Sequence, residues 1–174
     1  MGAQLGFWVD VSKCTACKAC EIACKNRNNL GVGPRLRRVN QIERGTYPDL
    51  TVLNISLSCM HCAKPACVGV CPTGAISKRS QDGIVVVDRN RCIGCRYCLF
   101  ACPFGAPQFG LDGLMIKCDM CLEFQQIGKE PACVSTCFYG ALHFGPLDEL
   151  ADLAAERTAR RLAGSTEPSV LVSR

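Results

Sequence analysis

The stretch DGIVVVDRNRCIGCRYCLFACPFGAPQF, residues 82–109, decides how the rest of the chain is read. A β-branched strand over 84–87 leads into Cys92, Cys95, Cys98 and Cys102, and Pro103 follows the last of them. Three thiolates spaced as C-x2-C-x2-C wrap one loop around one small metal centre. A fourth cysteine four residues further on points away, onto the next helical turn.

Working outward, the same unit recurs three more times. The first group is Cys14, Cys17, Cys20 and Cys24; the second is Cys59, Cys62, Cys67 and Cys71, followed by Pro72. The stretch 82–109 holds the third, and the fourth is Cys118, Cys121, Cys133 and Cys137. Each group opens with C-x2-C and closes with C-x3-C, and together they use all 16 cysteines of the 174 residues. Gly74-Ala75, Gly105-Ala106 and Gly140-Ala141 sit at one offset past the last cysteine of groups two, three and four. A glycine there allows a tight turn and close backbone approach to a bulky ligand.

In two-cluster iron–sulfur proteins the C-x2-C-x2-C-x3-C-P run gives its fourth cysteine to the other cluster of the pair. Such exchange requires the groups to act in pairs. Groups two and three are close in sequence and both carry the proline, so they form an inner pair, which groups one and four enclose. The expected ligand sets are then Cys59, Cys62, Cys67 and Cys102; Cys92, Cys95, Cys98 and Cys71; Cys14, Cys17, Cys20 and Cys137; and Cys118, Cys121, Cys133 and Cys24. All sixteen are expected to bind metal through cluster iron. Serial C-x2-C pairs also describe zinc ribbons, but zinc knuckles have no use for the third cysteine of C-x2-C-x2-C. A disulfide scaffold would also show an even count, yet cysteines three apart in runs are poorly placed to bridge one another. His61 lies inside a C-x-H-C sequence whose four-cysteine set is already complete, so it and His143 are expected to pack rather than ligate.

Composition points the same way. The chain has one Trp, three Tyr and seven Phe, so a purely apolar core would be thin, and bound clusters stabilise only the folded state. The formal charge of +5 counts every cysteine as neutral. Since an oxidised four-cysteine [4Fe–4S] unit carries about −2, four of them take the total to roughly −3. The basic residues therefore read as counter-charges to clusters, not as a nucleic-acid surface. Lys18, Lys64 and Arg96 lie inside groups one to three, whereas group four carries Asp119. On that basis the cluster of Cys118, Cys121 and Cys133 is expected to have the lowest potential. There is no nucleotide loop, carboxylate pair or nucleophile–base set, so no catalytic residue is expected. Residues 1–6 lack a basic export region, residues 7–11 are too short and polar for an apolar core, and no run nears the roughly 18 residues of a membrane span.

Strands are expected over 6–11, 84–87, 114–117 and 141–144, with a hairpin over 35–43 and 50–57 turning at 45–49, and helical turns over 21–25 and 99–101. The fold class is α+β. An outer ferredoxin-like unit takes residues 1–57, including the hairpin insertion at 35–57, together with 104–150; an inner unit takes 58–103. Residues 146–164 read as a C-terminal helix with an apolar face of Leu147, Leu150, Ala154 and Leu162 and a basic flank of Arg157, Arg160 and Arg161; residues 165–174 read as an extended tail.

Four stretches carry a resemblance to a known family: GFWVDVSKCTACKACEIACK (6–25), SCMHCAKPACVGVCPTGAI (58–76), residues 82–109, and KCDMC…PACVSTC…GAL…FGPLDEL (117–150). In this order they resemble the electron-transfer subunit of the dimethyl sulfoxide reductase family of molybdopterin oxidoreductases. The resemblance implies two fused, interleaved bacterial-type ferredoxin units with four [4Fe–4S] clusters. It implies as partners a large molybdopterin catalytic subunit and an integral membrane quinone-binding subunit, between which electrons are relayed. Some relatives replace one cysteine with Trp and carry a [3Fe–4S] cluster; here every ligand position is Cys, while Phe138 stands where proline usually follows the last one. The family's catalytic partner commonly carries a twin-arginine signal, which implies a peripheral, membrane-associated chain on the extracytoplasmic face by co-export, the cytoplasmic face being the alternative. The competing functions are a free polyferredoxin shuttling between enzymes, the iron–sulfur subunit of a hydrogenase- or formate dehydrogenase-type complex, and a redox-sensing or structural metal protein.

Overall fold

The structure, a computed structural model, describes residues 2–157 and 159–173. Its organising element is strand β1, Leu5–Asp10, whose Phe7, Trp8 and Val9 are all buried. An unbroken apolar run is what a strand covered on both faces requires. β1 lies inside a four-stranded sheet between β8 (Leu142–Pro146), antiparallel to it, and β10 (Val170–Ser173), parallel to it; β9 (Arg160–Arg161) forms the outer edge beyond β10. Helix α6, Leu147–Ala154, covers one face of the sheet, packing Leu150 and Ala154 on Trp8 and Leu171. The other face gives Phe7, Val9, Leu142 and Val170 to the main core, where Cys20, Cys59, Cys118 and Cys133 are packed among them. Sulfur therefore replaces much of the missing aromatic volume.

The hairpin pairs β2 (Arg37–Arg44) with β3 (Thr51–Ser58), from Arg37 opposite Ser58 to Arg44 opposite Thr51. Only its base is buried, through Arg37, Val39 and Ser56, while the distal half stands in solvent. Two smaller hairpins join the cysteine groups: β4 (Ile76–Lys78) with β5 (Val85–Val87), and β6 (Gln108–Phe109) with β7 (Met115–Ile116). The partners β4 and β6 leave no periodic signal at two or three residues, since only the pairing itself defines them. The remaining helices are short: α1 (Ala19–Arg27), α2 (Ala66–Gly69), α3 (Tyr97–Ala101) and α5 (Ala132–Ser135) carry cysteines, and α4 (Leu122–Gln126) directly follows Cys121. α1 packs against α5, and α2 against α3.

The C-terminal helix and tail read from the sequence require correction. The helix ends at Ala154 and passes through a 3-10 turn, Ala155–Arg157. Arg157 reaches the carboxylate of Asp10, which is fully buried, at 3.0 Å, and Arg160 and Arg161 pair with β10. A buried carboxylate demands a cation, and that tertiary demand outweighs the local helical propensity of residues 155–162. Residues 165–173 are no loose tail. Val170, Leu171 and Val172 form the strand beside β1, and Trp8 Nε1 donates to Ser173 Oγ at 2.9 Å. Polar flanks on both sides of this short apolar run hide it in the sequence. Leu162 leaves the helix face and packs against the main core.

Candidate iron–sulfur centres

Each cysteine loop is curled by backbone in the left-handed region. At the position two past the first cysteine, φ is 56° for Ala16, 41° for His61, 69° for Gly94 and 56° for Met120. Groups one and three repeat the feature two residues later, at Lys18 (61°) and Arg96 (67°). Non-glycine residues enter this region rarely and at a cost, so their concentration here marks a built feature. Such reversals turn successive N–H groups inward as a cradle for an anion, the arrangement found at many iron–sulfur sites. The glycine echo is equally regular: Gly74, Gly105 and Gly140 have φ of 60°, 59° and 59°, and each donates its N–H to the carbonyl of the preceding cysteine at 3.0–3.2 Å. After Gly140 the turn aims the N–H of Ala141 at Cys137 Sγ, 3.3 Å away.

The fold gathers the cysteines from distant segments. Cys14, Cys17, Cys20 and Cys137 line one pocket of about 340 Å³, its open side included, with Val39 and Ser56 in its wall. Cys71, Cys92, Cys95 and Cys98 line another of about 330 Å³, walled by Phe109 and Met115. The thiols of Cys62 and Cys67 feel Cys59 and Cys102, and those of Cys24, Cys118 and Cys121 feel Cys133. All sixteen cysteines are free of disulfides. Among the described residues no three His, Cys, Asp or Glu side chains converge closely enough to hold a single ion.

Burial pushes the Cys24 and Cys67 thiols up to about 12, helped by neighbouring thiols, and pushes Cys118 up strongly for the same reason. Left alone, such thiols stay protonated; a bound metal takes the proton's place and makes them thiolates. Cys71 is the exception: its slight burial is outweighed by the Thr73 hydroxyl and by N–H groups of Thr73, Ala75 and Ile76, and its pKa falls. Six buried polar atoms have no hydrogen-bond partner among the described residues; Arg37 Nε, His61 Nε2 and Thr166 Oγ1 are three of them, and Thr166 lies beside the Cys62 sulfur. Buried donors require acceptors, and cluster sulfurs are acceptors. The soft thiol donors, the inward N–H groups and these donors together fit [4Fe–4S] clusters.

His61 is fully buried and its Nδ1 accepts the Val85 N–H at 3.0 Å. Burial, then the nearby Lys117, Lys78 and Arg37, holds its pKa well below the usual imidazole value. His143 stacks on Trp8 with ring centroids 4.3 Å apart.

The charges lying between the ligands in sequence do not face the sulfurs unopposed. Lys18 is exposed, Lys64 pairs with Glu167, Arg96 covers the Phe109 ring, and Asp119 pairs with Arg27 at 3.5 Å. The cations beside the thiols come from elsewhere: Arg37 and Lys117, both buried, and the half-buried Lys78. Sequence reasoning missed them because none lies within a cysteine group. The signal available was the hairpin alternation, which puts Arg37 on the inward face with Val39. The C-terminal segment was missed as well. It clamps the second loop through Ser169 N–H to the Met60 carbonyl (2.8 Å), Ala63 N–H to Glu167 (2.8 Å), Lys64 N–H to Thr166 (3.1 Å) and Ser169 Oγ to the His61 carbonyl (2.9 Å).

Comparison with known proteins places this architecture. Residues 50–147 match the 4Fe-4S dicluster domain family. The sequence is 44% identical to a component of the anaerobic dimethyl sulfoxide reductase of Escherichia coli (strain K12), over 99% of this chain and 89% of that protein. It is 36% identical to the formate dehydrogenase iron–sulfur subunit of Wolinella succinogenes, over 94% and 92%, and 35% identical to a component of the sulfite dehydrogenase of Allochromatium vinosum, over 84% and 70%. Similarity of this depth along nearly the whole chain makes it a member of one family, the four-cluster iron–sulfur electron-transfer subunits of the dimethyl sulfoxide reductase type that serve molybdoenzymes.

Proposed function

We propose that the chain relays electrons through four [4Fe–4S] clusters between a molybdopterin catalytic subunit and a quinone-linked membrane anchor. The observation that carries this is the meeting of a group's last cysteine with the first three of another: Cys137 with Cys14, Cys17 and Cys20, and Cys71 with Cys92, Cys95 and Cys98. By reciprocity the two remaining ligand sets are Cys24, Cys118, Cys121 and Cys133, and Cys59, Cys62, Cys67 and Cys102. The packing of α1 on α5 and of α2 on α3 supports two interleaved ferredoxin-like units, an outer one from groups one and four and an inner one from groups two and three.

Bound clusters supply one-electron chemistry at potentials set by nearby charge, hydrogen bonds to sulfur and solvent access. The chain's own part is to hold them, to aim N–H and O–H groups at sulfur, and to keep water away with side chains such as Val39, Phe109 and Met115. Among the described residues no helix is long and apolar enough to cross a membrane. Attachment is therefore assigned to the anchor subunit, on the extracytoplasmic face if the chain is exported with its catalytic partner. The substrate is decided by that partner, since this chain carries redox relays only.

The test is anaerobic purification from the native host. About sixteen irons and as many acid-labile sulfides per chain are expected for four cubanes, in a complex whose native mass includes a large molybdenum-containing subunit. A metal-free or zinc-bearing chain overturns the cluster reading. A cluster-loaded but solitary monomer overturns the relay and favours a free polyferredoxin.

A further inference from the structure

The guanidinium of Arg37 is 2% exposed, yet among the described residues no carboxylate pairs with it. Its Nη1 donates to the Ser56 carbonyl (3.3 Å) and Ser56 Oγ (3.2 Å), its Nη2 donates to Ser58 Oγ (3.1 Å), and the group lies 4.5 Å from the centre of the Phe7 ring. Glu21, the buried carboxylate of the same region, is already engaged by the Val39 N–H and by Arg35. A buried cation satisfied only by neutral groups is costly unless an anion lies nearby. The Phe7 ring that Arg37 covers is packed in one core with Cys20, Cys118 and Cys133, and Ser56, to which it donates, touches Cys20 Sγ; burial works against its charge, and the thiolates of Cys133, Cys118, Cys20 and Cys24 favour it. Cys20 belongs to one proposed ligand set, and Cys24, Cys118 and Cys133 belong to another.

Ser56 makes the arrangement asymmetric. Its Oγ lies 3.4 Å from Cys20 Sγ while accepting from Arg37. A thiolate ligand has no proton to give, so the serine O–H must point at the sulfur, polarised by the cation behind it.

We propose that Arg37 is the shared buried counter-cation of the two outer clusters, raising the reduction potential of both, and that Ser56 delivers a further rise to the Cys20 cluster alone. The inference rests on the ligand sets proposed above. Reduction brings one electron from the neighbouring redox centre and takes a cluster from about −2 to about −3. No bond is made or broken and no proton moves, so a fixed positive charge stabilises the reduced form directly. Arg37 serves both outer clusters, so Asp119, which bears on Cys24 and Cys121 and is paired with Arg27, still favours a lower potential for the Cys118 cluster than for the Cys20 cluster.

The test is potentiometric titration followed by EPR on the purified complex. Signals are first assigned with Cys17→Ser, Cys62→Ser, Cys95→Ser and Cys121→Ser, one for each set. Arg37→Gln is expected to raise the oxidised-to-reduced ratio of both outer clusters at fixed solution potential at least tenfold, a shift of about −59 mV for a one-electron couple. The inner two should stay put, and Arg37→Lys should shift less than Arg37→Gln. Ser56→Ala is expected to shift the Cys20 cluster alone. Full iron content in Arg37→Gln with unmoved outer potentials, or an equal shift in all four clusters, overturns the proposal. If Arg37→Gln fails to assemble, Ser56→Ala decides: no shift, or equal shifts in both outer clusters, overturns it. Wild-type protein lacking four clusters refutes instead the reading on which the inference stands.

Discussion

Gly140 holds φ at 59° with no atom within 4 Å of where a Cβ would stand. The glycine there answers to backbone conformation and not to lack of room. An L-residue in that region costs about 1–2 kcal/mol, so Gly140→Ala is expected to destabilise the cluster-loaded protein by that amount, read as an earlier denaturant midpoint in Trp8 fluorescence and visible absorbance. Gly69→Ala is the contrast: Gly69 sits in α2 outside the left-handed region, again with open space, and alanine there should be neutral or stabilising by up to about 1 kcal/mol. Equal losses in the two variants would deny the turn its special role. The recurrence of Gly-Ala three residues past the last cysteine was legible in the sequence, and the structure adds that the three turns share one φ. The tuning charges were not legible. Proximity along the chain singled out Lys18, Lys64, Arg96 and Asp119, but Lys18 is exposed, the other three are engaged by Glu167, Phe109 and Arg27, and the cations Arg37 and Lys78 arrive from other segments.

At the scale of elements, the surprise is β10. Its residues pair with β1 along one edge and with β9 along the other, and the segment just before it holds the Met60–Lys64 loop by four hydrogen bonds. Removing residues 165–174 should therefore strip iron first from the site containing Cys59, Cys62 and Cys67. The expected result is a deficit of about four irons per chain, one cubane, beside the full-length protein, with the loss concentrated in that cluster's EPR signal. Undiminished iron in the truncated chain would show that the clamp is dispensable. The basic flank of α6 is likewise engaged internally. Arg157 is bound to Asp10 and Arg161 to the carbonyls of Pro168 and Glu167, so two of its three arginines close the sheet edge.

Across the whole molecule, clusters and polypeptide stabilise one another. Arg37 and Lys117 are buried with carbonyl, hydroxyl and aromatic neighbours but no carboxylate among the described residues. An uncompensated buried charge costs on the order of 3–5 kcal/mol, against a total stability of about 5–15 kcal/mol for a domain. Two such cations consume most of that margin once the thiolates are protonated. Stripping iron with an oxidant and chelator is accordingly expected to abolish cooperative unfolding and to collapse the far-UV circular dichroism. A metal-free chain that keeps native dichroism and a sharp melting transition would contradict this coupling.

Sixteen cysteines in four spaced groups determined by themselves the cofactor class and the repeated unit, because ligand spacing on a short loop is a local property of the chain. The hairpin was equally local, set by its own alternation. Which charges meet the sulfurs, how helix α6 ends, and that Val170–Ser173 forms an inner strand were decided only in three dimensions. Each depends on partners roughly twenty to more than a hundred and fifty residues away, such as Arg37 with Ser56, Arg157 with Asp10, and Ser173 with Trp8. No periodicity records such pairings; burial creates the need for them, and only the folded chain shows what meets it.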